Sequence, residues 1–420
     1  MTRKAGKAIR IDVRVTVAHT ESSLPENANT SPGSLGEIAR YFLLLGFTAF
    51  GGPAAHISMM EQELVHRRHW LDRQHFLDLL AAINFIPGPN STELAIALGR
   101  LRGGWRGMLV AGTCFILPAV LIILPIAWLY VNYHQLPQVD GVLRGVGAAV
   151  VAIIAAAAWQ LARSALKNPF GIGIAILAAV GQWLNHQHRW AFGDLGILAL
   201  AAIAGLVRSN WAWPKNSITR SIALSPLGAL AAITVGGPVL MVLLFLKIGA
   251  TLFGSGYVLV TYLQTSFVDQ RHWLTSQQTL DAVAVGQVTP GPLLTTATFI
   301  GFVLGHYPFG GGWAMETGCA LAATAAIFAP AFILIAAIGS SIDRLRHSPP
   351  ARAAFDAMNA AVVGLIAATC LFMARQAIQP PQTWTSVAIM AASLFAILAL
   401  NVNATWLIAA AGGIGWIFLR

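Results

Sequence analysis

Apolar residues in this chain fall in long runs separated by short polar punctuation. Met108 to Val131, Gly145 to Leu161, Trp384 to Leu400 and Ala404 to Leu419 are almost wholly apolar. Each approaches or exceeds the roughly 20 residues a helix needs to cross a bilayer. None shows the strict alternation of an outer-membrane strand, so the pattern predicts spanning helices. The fold class expected is an all-α polytopic membrane protein.

The same pattern repeats along the chain. Phe42-Leu-Leu-Leu-Gly46 matches Phe245-Leu-Lys-Ile-Gly249 at a spacing of 203 residues (Phe42 to Phe245), and Phe50-Gly51 matches Phe253-Gly254. At that spacing Arg68-His-Trp-Leu71 recurs as Arg271-His-Trp-Leu274, Pro87-Gly88-Pro89 as Pro290-Gly291-Pro292, and Asp78 as Asp281. Further on the spacing is 212 (Pro118 to Pro330), with Ala148-Ala-Val-Val151 matching Ala360-Ala-Val-Val363 and Arg163 matching Arg375. Recurrence in one order defines a 37–208 repeat and a 239–420 repeat, joined by a linker at 209–238 and preceded by a flexible basic tail at 1–36.

Loop charge then sets orientation. Arg100, Arg102 and Arg106 follow the first Pro-Gly-Pro, whereas the matching 305–313 loop has no Lys or Arg. One loop later the pattern reverses: residues 133–141 have none, although Arg144 follows closely, and 341–352 carry Arg344, Arg346 and Arg352. Lys and Arg concentrate in cytoplasmic loops, so the halves are expected as inverted repeats, an arrangement common in secondary transporters. The parity requires an extra crossing between the halves, for which 222–235 is the candidate, although about fourteen residues is short for a span. The same accounting makes 76–99 enter and return on one side. Two half-helices with Pro-Gly-Pro at the tip satisfy the proline constraints; a kinked single helix is the alternative.

Composition agrees with the membrane reading. The 420 residues are 56% hydrophobic and 10% charged, with mean hydropathy +0.68, against about 25% charged in soluble domains. The net charge of +10 sits in short clusters between apolar runs, which excludes a nucleic-acid partner. Cys114, Cys319 and Cys370 lie in apolar stretches without metal or disulfide spacing, so neither metal nor cofactor is expected. No apolar run follows the basic tail until Tyr41, which argues against a cleaved leader and for a cytoplasmic N-terminus.

Backbone breaks at membrane depth point to a transporter's binding site, and there are four. Two are the Pro-Gly-Pro tips, and two are Gly51-Gly52-Pro53 and Gly254-Ser255-Gly256. Candidate ligand donors are Asn90, Ser91 and Thr92 after the first tip, Thr295 and Thr296 after the second, and the paired amides Asn84 and Gln287. Helix capping is the competing use of such residues. Lys247 either holds an anion or snorkels to an interface. Glu93, His56, Asp78 and Asp281 are proton-coupling candidates and Glu316 stands behind them; the competing readings are helix-end stabilisation for Glu93, packing for His56, and for the two aspartates a structural cap, which is preferred. Arg67, Arg68, His69, Arg271 and His272 read as loop anchors, with Trp70 and Trp273 as interfacial aromatics.

Phe50-Gly-Gly-Pro53 with His56, Arg68-His-Trp-Leu71, Phe85-Ile-Pro-Gly-Pro89, Phe253-Gly-Ser-Gly-Tyr257 and Gln287-Val-Thr-Pro-Gly-Pro292 together resemble the chromate ion transporter family in its long, two-domain form, over residues 37–376. The resemblance implies a secondary transporter that exports chromate from the bacterial inner membrane, driven by protons, and confers chromate resistance. Short members of that family occur as paired single domains of opposite orientation. Asn84 and Glu93 stand where the family usually or often has Gln, and Ser255 replaces a common glycine. Sulfate or another tetrahedral oxyanion is the alternative substrate, and a homodimer is left open. A channel would need a ring of selectivity residues, an intramembrane enzyme a nucleophile–base pair or metal ligands, and an ATP-driven pump a phosphate loop; none is present in the sequence.

Overall fold

The computed structural model of the chain describes residues 34–50, 52–84, 86–188, 193–209, 236–254, 256–338, 348–378 and 383–419. Gly51, Phe85 and Ser255 lie outside the described residues. So do most of the tail, the 222–235 crossing, and Arg344 and Arg346 of the loop-charge argument.

The described residues form helices and turns, with no strand among them. The first half contains α1 (Leu35–Thr48), α2 (Pro53–Met60), a π-helical turn (Glu61–Arg67), α3 (Arg73–Ile83), α4 (Asn90–Tyr133), α5 (Pro137–Ala165), α6 (Pro169–His188) and α7 (Gly193–Arg208). The second opens on α8 (Gly237–Thr251), α9 (Val258–Leu263), a second π-helical turn (Gln264–Asp269) and α10 (Ser276–Val288). It continues with α11 (Thr296–His306), α12 (Trp313–Ile338), α13 (Pro349–Ala377), α14 (Thr383–Leu400) and α15 (Ala404–Phe418). Helices α4, α5, α12, α13 and α14 are long and apolar enough to cross a membrane. The chain is a multi-pass helical membrane protein.

The repeated motifs build the same local structure twice. In each Arg-His-Trp-Leu turn the histidine takes a left-handed backbone, φ 51° at His69 and 55° at His272. The following tryptophan N–H returns to the π-helical turn, Trp70 to the Leu64 carbonyl and Trp273 to that of Phe267, both at 2.8 Å. The next helix is then capped at matching positions. Asp72 accepts from the His75 N–H, and Thr275 forms a capping box with Gln278. The cap reading of Asp78 and Asp281 is therefore corrected. A cap must precede the first turn, and both residues lie well inside α3 and α10. Trp70 packs inside the protein. It is buried, and its ring N–H donates to Glu37 at 3.1 Å. Arg68 anchors the loop through Glu63 at 2.9 Å and Glu37 at 3.4 Å.

Both halves fold back at Pro-Gly-Pro. Helix α3 ends at Ile83 and α4 begins at Asn90, so the first tip is non-helical and a continuous kinked helix is excluded. Helix α4 breaks again at Gly103 and Gly104. Its 90–102 arm is thus the counterpart of α11, and its remainder that of α12. Close packing uses glycine at equivalent places: a Cβ on Gly46 of α1 would lie 2.8 Å from the Phe115 carbonyl of α4, and one on Gly249 of α8 would collide with Ile327 of α12.

The closing helices of each half pack on the other half. Helices α6 and α7 lie against α13, while α14 and α15 lie against α5. This exchange interlocks the repeats and leaves Trp384, Phe395 and Trp406 exposed on the outer pair, as lipid-facing helices require.

Candidate functional site

The four breaks meet in two reciprocal pairs. The Gly88 N–H of the first tip donates to the Leu252 carbonyl at 2.7 Å, and the Gly291 N–H of the second tip donates to the Ala49 carbonyl at 3.1 Å. Ala49 and Leu252 end α1 and α8. Each tip is therefore held by the break of the opposite half. Both tip glycines have positive φ, 140° at Gly88 and 99° at Gly291, a region open to glycine and strained for other residues. Pro89 also approaches Gly256, whose added Cβ would lie 4.0 Å from it. Since the flanking prolines Pro87, Pro89, Pro290 and Pro292 have no N–H, the glycine between them is the only donor each tripeptide can offer.

Behind the first tip, His56 is buried and fully engaged. Its Nε2 lies 3.0 Å from the Ala49 carbonyl and its Nδ1 lies 3.3 Å from the Ser91 hydroxyl. A carbonyl only accepts, so Nε2 carries the proton and Nδ1 of the neutral ring accepts from Ser91. Thr92 and Glu93 are also buried, and the Thr92 hydroxyl and both Glu93 carboxyl oxygens have no hydrogen-bond partner among the described residues. The Glu93 carboxyl is folded under Gly88, filling the space a Cβ there would occupy. An ionised carboxylate in that setting is costly.

Beside the tip lies a cavity of about 750 Å³ whose lining includes Asn84, Asn90 and Gly254 from the predicted site. Asn90 donates its amide to Asn84 at 2.6 Å. The cavity adds residues that the sequence reading did not select: Lys167, Asn168 and Arg208 where α5, α6 and α7 end or begin, and Asp356 and Asn359 on α13. The Arg208 guanidinium is stacked over Phe170 at 4.6 Å, which fixes its direction. Two cations against one carboxylate, with four asparagine amides, favour a small anion. These residues belong to no repeated motif, and the exchange of closing helices is what carries them to the first tip.

Other predicted residues are placed elsewhere. Thr295 and Thr296 donate to the Pro292 and Leu293 carbonyls of their own turn at 2.6 and 2.7 Å, so the second tip uses its hydroxyls to close a helix start. Gln287 is bonded to Tyr257. Asp281 is buried and accepts from the Tyr130 hydroxyl at 2.8 Å and from Gln277 at 2.9 Å. Asp78 is half-buried within α3. Lys247 is half-buried on α8, outside the cavity lining and within electrostatic reach of Asp194. Gly52 opens α2 at φ 79°. Glu316 is buried against His306 at 2.6 Å.

Paired hairpins, each docked on the opposite half, with a cation-bearing cavity beside the first, in a chain of spanning helices, define a multi-pass membrane transporter. The chain matches the chromate transporter family over residues 36–208 and 239–416, and it belongs to that family. Chromate transport proteins of Cupriavidus metallidurans and Pseudomonas aeruginosa are each 31% identical to it. They match over 84% and 96% of this chain, and over 86% and 99% of their own lengths. An uncharacterised transporter of Bacillus subtilis is 29% identical over 126 residues, 30% of this chain and 71% of its own. No solved structure matches the chain.

Proposed function

We propose that this protein is a secondary active transporter that exports chromate across the bacterial inner membrane, coupled to protons, and so confers chromate resistance. The observation that carries the reading is the cavity at the junction of the first tip and the second half's break, with Lys167, Arg208 and asparagine amides around it. A tetrahedral dianion needs several N–H donors and positive charge from different directions. Lys167 and Arg208 supply the charge, and the N-terminus of α4 at Asn90 adds a helix end that favours an anion.

The halves act as inverted repeats that rock about the docked tips. Separating Gly88 from Leu252, or Gly291 from Ala49, would free a backbone donor on one face while the other stays closed, which is the alternating access expected of such folds. Glu93, one turn beyond the tip and without a hydrogen-bond partner for its carboxyl among the described residues, is the carboxyl placed to respond to an arriving anion.

The test is chromate flux in proteoliposomes, with and without an imposed pH gradient, for the wild type and for Arg208→Gln and Lys167→Gln. The gradient should increase wild-type flux, and each substitution should raise the chromate KM by about tenfold, the effect of losing one charge-assisted contact of roughly 1.5 kcal/mol. Flux indifferent to the gradient removes proton coupling, and an unchanged KM in both variants removes the cavity from the substrate path.

A further inference from the structure

A coupling proton needs a buried resting place and a polar route to water. Glu93 has the first, and no hydrogen bond leads from its carboxyl among the described residues. Asp281 is held by Tyr130, but the adjoining His134 stacks on the Tyr130 ring and bonds its carbonyl at 3.0 Å rather than its hydroxyl. Glu316 reaches the surface through His306 alone; Asp194 sits in a larger buried polar network. Asp194, in the first turn of α7, is 4% exposed and accepts from the Thr265 hydroxyl at 3.2 Å. Thr265, on the second π-helical turn, accepts in turn from Gln182 of α6 at 3.1 Å.

A second hydrogen-bonded leg runs beside the first between the same two elements. His186 lies one turn after Gln182 on α6, and its Nδ1 is 2.9 Å from Asp269, to which Gln264 also donates at 3.0 Å. The His186 side chain is 34% exposed, so this leg reaches the protein surface. The Gln182 and Gln264 side-chain oxygens, on the very amides that make these bonds, are buried without a partner among the described residues, as is the oxygen of Asn185 on α6. Buried acceptors of that kind are where an ordered water donates, and such water would join the two legs. Charged and titratable groups facing Asp194 are Lys247 from α8, Tyr262 from α9 and Asp269 from the π-helical turn, with Arg271 acting on Lys247.

The repeat shows that this network is not needed to build the turn. In the first half the equivalent of Gln264 is Glu61 and that of Ser266 is Glu63. These pair with Arg73 at 3.1 Å and Arg68 at 2.9 Å at a half-exposed surface. The second half replaces that ion-paired scaffold by buried neutral donors and acceptors around an aspartate. π-helical turns are frequent at functional sites, and buried intramembrane carboxyls mark proton relays.

We infer that Asp194 carries a coupling proton of the transport cycle, loaded from bulk water through His186, Asp269 and the Gln182–Gln264 gap. One proton passes from water to the His186 ring, leaves it toward Asp269, and crosses by water to the Asp194 carboxylate. It is released when the two legs part. The inference rests on the proposed proton-coupled transport, and it adds a route that the tip carboxyl lacks.

Counterflow separates the two ideas. Exchange of labelled chromate at equal concentrations on both sides needs substrate binding and the conformational change, with no net proton movement. Accumulation driven by a pH gradient needs both. Asp194→Asn should retain counterflow and lose pH-driven accumulation, and His186→Gln should retain counterflow and slow the driven flux. If Asp194→Asn keeps both activities, or loses both, the inference is overturned; retained driven flux in His186→Gln overturns the route. A wild type without counterflow overturns the transport reading itself, and this inference with it.

Discussion

Four glycines with positive φ mark the breaks, yet they do different work. At Gly52, φ 79°, an added Cβ would meet nothing within 4 Å; at Gly291, φ 99°, it would lie 3.3 Å from Ala119 and close to the Gly46 and Phe115 carbonyls. Gly52→Ala should therefore cost only the backbone penalty of about 1–3 kcal/mol for its extended, positive-φ conformation, ψ −169°. Gly291→Ala adds overpacking of about 1–3 kcal/mol at the point where the second tip meets α1 and α4. Melting temperatures in detergent and chromate flux should both fall further for Gly291→Ala. Equal effects would mean that the tip does not seat there. The sequence displayed these glycines and prolines plainly. It offered helix capping as one use of Thr295 and Thr296 but could not choose it over ligand binding, and it gave no sign that Gly88 covers the Glu93 carboxyl, because those outcomes depend on side-chain direction.

At the scale of an element, the repeated unit is a π-helical turn, a left-handed histidine and a capped helix. Asp72 and Thr275 occupy equivalent positions but differ in chemistry. Asp72→Ala and Thr275→Ala should each lower stability by about 1 kcal/mol at neutral pH, the usual effect of losing an N-cap. Only the first should depend on pH. Hydrogen bonds from the His75 backbone N–H, and then from its ring, hold the Asp72 carboxyl below the ordinary carboxylate range. Its stabilisation is present above the unfolded value of about 4 and disappears as pH falls through the lower folded value. The melting difference for Asp72→Ala should shrink on acidification while that for Thr275→Ala stays constant; parallel behaviour would refute the assignment of the cap. Sequence spacing found the Arg-His-Trp-Leu repeat and misplaced its caps at Asp78 and Asp281, since charge in an apolar segment drew the eye from the residue just before the helix.

Across the whole molecule, the exchange of α6 and α7 for α14 and α15 means that neither half can bury its own faces. Two fragments from a chain opened within 210–220 should restore chromate flux when co-expressed, and neither should do so alone. Flux from one fragment by itself would contradict the interlock. The membrane class, the two halves and the four breaks follow from sequence alone, because hydropathy, repetition and proline or glycine punctuation are properties of short stretches. Which break holds which tip was decided by tertiary structure. So were the arrival of Lys167, Arg208 and Asn359 at the first tip and the convergence of Asp194 with the second π-helical turn. Those contacts join residues far apart in the chain through closely packed small and apolar side chains, and such packing carries no periodic signal from which a partner can be read.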